Sequence, residues 1–190
     1  MPQALSAAWR HVDARHGFEV VFLHAEPDGY LVEGDSTGVE DGQAWSVRYR
    51  IRLDGSWATR AADVAGRSAA GTHQVRLEAD GAGRWLVDGA PAPMLAGCLD
   101  VDLEASACTN AFPVKRLGLP VGDHADAPAA YVRVPDLRVE RLEQSYSRLP
   151  DEHGRSRYDY ASPGFDFRAV LTYAEDGLVL DYPGVAARVL

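Results

Sequence analysis

The chain has 190 residues, 28 acidic and 19 basic, for a formal net charge of −9. With 46% hydrophobic and 25% charged residues it matches an ordinary globular chain of one unit spanning 1–190, and disorder is not expected. The acid excess would repel phosphate backbones and anionic membrane surfaces, so nucleic acid is not an expected partner.

From Met1 to Gly17 the chain carries Arg10, His11, Asp13, Arg15 and His16 and lacks the apolar stretch of an export signal, which points to a cytoplasmic address. Leu5, Ala8, Trp9 and Val12 recur at helical spacing, allowing a short amphipathic helix after Pro2; this end is left open. The densest apolar run, Val20 to Leu23, is far short of the ~18 residues of a membrane helix, so no span is expected.

Asp-Gly steps then punctuate the chain at 28, 41, 54, 80, 88 and 176. Asp followed by Gly accepts the positive φ of a tight hairpin turn at little steric cost, and the first three steps recur thirteen residues apart, room for one strand each. An antiparallel meander follows. Trp45, Val47, Tyr49, Ile51 and Leu53 alternate with Ser46, Arg48, Arg50 and Arg52, a half-buried strand. Leu99, Val101 and Leu103 alternate with Asp100, Asp102 and Glu104, which predicts a second half-buried strand whose acids pair with the arginines of the first. Val75 with Leu77, Trp85 with Val87, Phe165 with Phe167, and Leu178 with Leu180 read as further short strands. Pro113 makes Phe112 to Leu117 an edge segment or one helical turn, a break between sheets. Residues 120–130 read as a surface loop, with strand-like sequence resuming at Tyr131. The fold class is all-β, with at most one or two short helices.

The six histidines are scattered, and no metal or cofactor is predicted. Cys98 and Cys108 read as free structural thiols. Ser68 lacks the G-x-S-x-G elbow of a serine nucleophile, and the glycine-containing turns lack a phosphate cradle, so no catalytic residue is assigned. Asp100 and Asp102 would project to one side of a strand about 6.6 Å apart along the backbone. That separation suits an acid–base pair, though hydrated or arginine-paired acids are the commoner outcome. Arg48, Arg50 and Arg52 could fork onto an anionic ligand or serve as a paired, solvated face.

Several segments, in order, resemble the bacterial family described as "putative glycolipid-binding": Tyr49-Arg50-Ile51-Arg52, Gly83-Arg84-Trp85, residues 97–103 (GCLDVDL), 109–117 (TNAFPVKRL), 131–137 (YVRVPDL), 144–149 (QSYSRL) and 176–184 (DGLVLDYPG). The resemblance implies an antiparallel spiral β-roll or partly open barrel, similar to the periplasmic lipoprotein carriers that hold acyl chains in an apolar cavity. That functional link is a fold-level analogy, and the expected cytoplasmic address departs from it. By motif, it implies Arg50, Arg52, Thr109, Asn110, Arg116, Gln144, Tyr146 and Tyr182 as ligand-binding candidates. The expected function is non-catalytic binding of a glycolipid or other amphiphile, with its tail in a β-roll cleft. The alternatives are a small-molecule enzyme using Asp100 or Asp102 as acid and base, and a module that pairs with a protein through a strand edge.

Overall fold

Hairpins between alternating segments build most of the molecule. The computed structural model describes residues 4–13 and 15–190. A first meander runs through β1 (Leu5–His11), β2 (His16–Glu26), β3 (Gly29–Glu40), β4 (Gln43–Asp54), β5 (Thr59–Ser68), β6 (Gly71–Ala79), β7 (Trp85–Val87) and β8 (Ala90–Pro91). Then come β9 (Asp100–Leu103), helix α1 (Ala111–Leu117), β10 (His124–Asp126), β11 (Ala129–Val132) and β12 (Val139–Leu142). A second meander closes the chain with β13 (Ser145–Glu152), β14 (Arg155–Ser162), β15 (Phe167–Tyr173), β16 (Val179–Tyr182) and β17 (Ala186–Arg188). β1 pairs with both β2 and β17, so the meanders join into one antiparallel sheet of 14 strands, running from β10 to β8 without closing into a barrel. A second sheet holds β9 parallel to β11, and β11 antiparallel to β12. The all-β, open antiparallel expectation holds.

The segment between the meanders fills the inside of the large sheet. Val101, Leu103, Ala105, Ala107, Cys108 and Phe112 are buried in one core cluster with inward residues of both meanders, among them Ile51, Leu77, Tyr158 and Leu171. Small side chains at 105, 107 and 111 let this backbone approach the sheet closely. Pro113 sits in the first turn of α1, where its missing N–H is not needed, and Gly118 ends the helix in the left-handed region at φ 54°. Both cysteines are buried and free.

β4 is the alternating strand its sequence predicts, with Val47, Tyr49, Ile51 and Leu53 buried. Tyr49 and Trp45 lie across the backbone of β3 at Gly34 and Gly38. A Cβ there would stand 2.2 Å from the Tyr49 ring and 2.4 Å from the Trp45 ring.

Several expectations are corrected. The N-terminal end, left open by the sequence, forms a strand, β1, because pairing with β2 and β17 buries Ala7, Trp9 and His11 on its inward face. The arginines of β4 do not meet Asp100, Asp102 or Glu104. β4 lies between β3 and β5, so Arg48 pairs with Asp35 at 2.8 Å, Arg50 with Glu33 at 3.5 Å and Arg52 with Glu26 at 3.0 Å. β9 is buried on both faces, not half-solvated. The 120–130 loop contributes β10 to the sheet edge, and Phe165 belongs to a 3-10 turn before β15. Of the six Asp-Gly steps only two make the tight turn with positive φ at both residues: 49° and 74° at Asp41-Gly42, 50° and 78° at Asp88-Gly89. At Asp54, Asp80 and Asp176 the carboxylate instead accepts a backbone N–H two residues on.

Candidate functional site

Where the small sheet, with β9 at its edge, faces the second meander, an open cleft of about 310 Å³ remains. Its floor is Asp102, 6% exposed. The Thr109 hydroxyl donates to Asp102 Oδ1 at 2.7 Å, and the 3-10 turn at Cys108–Asn110 leading into α1 fixes Thr109 there. Burial pushes the Asp102 carboxyl up to about 6; the Thr109 hydrogen bond pulls the other way, and Asp100 and Glu104 add like-charge repulsion. Asp100, the preceding acid on that side of β9, is satisfied differently: Arg116 of α1 forks onto it with Nε at 3.0 Å and Nη2 at 2.6 Å.

Aromatic side chains wall the cleft. Tyr160, Phe167 and Tyr182, from β14, β15 and β16, form a cluster with centroids 5.9 to 6.1 Å apart, and Tyr131 of β11 meets Phe165 at 5.6 Å. Burial raises the Tyr160 and Tyr182 phenols, which stay neutral. At the rim Arg15 pairs with Glu40 at 3.4 Å and Glu104 at 3.7 Å, and Arg133 pairs with Glu104 at 3.5 Å and Glu140 at 3.3 Å. Ser162 lines the cleft with a buried hydroxyl that has no hydrogen-bond partner.

The structure brings five of the eight candidates together here. Asn110 and Tyr182 line the cleft, and Thr109 holds Asp102. Tyr146 donates to Asn110 Oδ1 at 2.9 Å, and Gln144 accepts from the Tyr160 hydroxyl at 3.0 Å. Arg116 is placed on Asp100, and Arg50 and Arg52 stand on the outward face of β4, away from the cleft.

Sequence reasoning missed Tyr131 and Arg133, which lie in the 131–137 segment but were not singled out, and Arg15, Tyr160 and Ser162, which lie outside the family-like segments, and it missed Glu19. That residue is fully buried on β2 and accepts from Tyr49 at 2.5 Å, from the Ser106 hydroxyl, and from the Ala107 N–H at 2.8 Å. Burial raises its carboxyl. The signal for it was an acid in phase with Val21 and Leu23. Because Ser106 also lines the cleft, Glu19 ties the cleft wall to the large sheet. Among the described residues no group of three His, Cys, Asp or Glu side chains could hold a metal ion, and no helix is long and apolar enough to cross a membrane.

A family model described as "Putative glycolipid-binding" matches residues 6–188. The chain is similar to the crystal structure of a DUF1089 family protein from Pseudomonas aeruginosa, with 35% identity, 95% of each chain covered and a TM-score of 0.76. In fold alone it is similar to a β-barrel-like protein of the domain of unknown function DUF1849 from Brucella abortus, 9% identical over 97% of this chain and 93% of that one, with a TM-score of 0.52. No curated protein matches the chain.

Proposed function

The chain belongs to the family described as "Putative glycolipid-binding", and on that premise we propose that it binds an amphiphile, without catalysis, at the cleft above Asp102. One observation carries this reading: aromatic walls and a buried carboxylate meet in a single cleft open to water. Aromatic faces cover the apolar side of a head group while a few fixed polar groups orient it, the usual division of labour in a small-molecule site. The inside of the sheet is filled by residues 98–117, so the tail does not enter a hollow shell. It runs over the rim, where exposed Phe165 and part-exposed Val185 line the cleft. Native mass spectrometry of protein purified from its own host, followed by lipid extraction, tests the reading. A stoichiometric amphiphile is expected, and bare protein across several preparations would overturn it.

A second reading, an acid–base enzyme, is favoured by the position of Asp102 at the cleft floor with its carboxyl raised to about 6, within reach of neutral-pH proton transfer. It requires turnover of a bound amphiphile that Asp102→Asn abolishes. Unchanged ligand after prolonged incubation counts against it.

A further inference from the structure

We propose that the head group taken by this cleft is cationic: an ammonium, carried by an amino sugar or by a choline- or ethanolamine-type head. The inference rests on the amphiphile reading and adds the charge of the ligand. Among the described residues no basic side chain pairs with Asp102, whose side-chain partner is the Thr109 hydroxyl at 2.7 Å. Arg116 is committed to Asp100 at 2.6 Å. The rim arginines, Arg15 and Arg133, are shared among Glu40, Glu104 and Glu140 at 3.3 to 3.7 Å. Arg138 also pairs with Glu140, at 3.7 Å, so the rim carboxylates and guanidinium groups balance without spare positive charge, and the floor adds one more carboxylate.

The walls fit the same ligand. Ring faces carry negative charge density, so Tyr160, Phe167, Tyr182 and Tyr131 in the cleft lining favour a cation, as the Phe165 ring already does by carrying the Arg133 guanidinium at 5.5 Å. An ammonium on Asp102 replaces the counter-ion the chain itself does not supply, whereas an uncharged sugar would leave the carboxylate uncompensated. For a head that carries N–H groups, an amino sugar or ethanolamine, the unpartnered Ser162 hydroxyl is a further acceptor; a quaternary head has no N–H to donate.

Titration calorimetry with three monomeric amphiphiles, at an ionic strength that screens the surface, tests this. The probes are n-octyl β-D-glucopyranoside, its 2-amino-2-deoxy analogue and n-octyltrimethylammonium. At least one cationic probe is expected to bind tenfold or more tightly than the neutral glucoside. The amino sugar winning identifies a sugar-borne amine, and the quaternary probe winning identifies a choline-type head. Asp102→Asn should erase the preference while leaving most of the protein's acidic surface in place. A preference that survives in Asp102→Asn reports attraction to that surface and overturns the inference. Equal binding of all three probes to the wild type overturns it too and leaves the amphiphile reading standing. If no probe binds and none displaces a resident lipid, the amphiphile reading falls, and the inference with it.

Discussion

Asp102 is a side chain the fold would be more stable without. Its carboxyl titrates near 3.8 in the unfolded chain and is pushed up to about 6 in the folded one, so between those values the folded chain holds a proton that the unfolded chain has released. Stability therefore falls as pH rises through that window, and the full penalty, about 3 kcal/mol, persists at neutral pH. Asp102→Asn removes the charge and keeps an oxygen to accept from Thr109. Urea unfolding at pH 7.5 should show the variant more stable by up to about 3 kcal/mol, with the gain vanishing near pH 3.5. A variant no more stable than wild type at pH 7.5 would show that the carboxyl is well solvated and the cleft floor misassigned. A group kept at such a cost is what a binding site requires, because the interaction missing in the free protein is what a ligand supplies.

Strand by strand, legibility depended on whether one phase of an alternation was polar. β4 was legible because arginines occupy one phase and aromatic and aliphatic residues the other. β2 was not: Phe18, Val20 and Phe22 share one phase and Val21 and Leu23 the other, and the larger set faces outward, with Phe18 52% and Phe22 48% exposed. Glu19 could be placed inside only by knowing that Tyr49 and Ser106 would meet it. β9 misled for a related reason. Its acids look like a solvated face, but Arg116 and Thr109, which satisfy them, come from the following turn and helix. The family resemblance singled out Thr109, Asn110 and, of the aromatic walls, Tyr182; it did not single out Tyr131, Tyr160 or Phe167, because only the pairing of β14, β15 and β16 and the placing of β11 opposite them bring these rings to one cleft. Gly34 on β3 is a position where the backbone itself makes room. Tyr49 is held by Glu19 at 2.5 Å and cannot swing away from a new methyl group. Gly34→Ala should cost about 1–3 kcal/mol in chemical denaturation. Gly55→Ala, where a Cβ meets nothing within 4 Å, should stay within about 0.5 kcal/mol of wild type. Equal effects at the two positions would remove the packing argument.

Across the whole molecule, the joint between the meanders is the place where one folding unit could become two. β1 pairs with β17 over three residues and with β2 over six, so backbone pairing is thin on one side. Side chains reinforce it. Trp9, fully buried on β1, reaches past β17 and donates from Nε1 to Val179 O on β16 at 2.7 Å. The buried segment between the meanders is tied to both: Trp85 of β7 donates to Cys98 O at 2.8 Å, and the Tyr173 hydroxyl of β15 donates to Asn110 O at 3.1 Å. Neither meander can therefore leave without exposing the apolar surface of residues 98–117, and unfolding is expected as a single transition. Trp9→Ala should lower stability by about 3–5 kcal/mol while far-UV and near-UV circular dichroism still report coincident melting. Two separated transitions in that variant would mean that each meander keeps its own core, that the chain is two folding units across β1 and β17, and that the intervening segment belongs to only one of them.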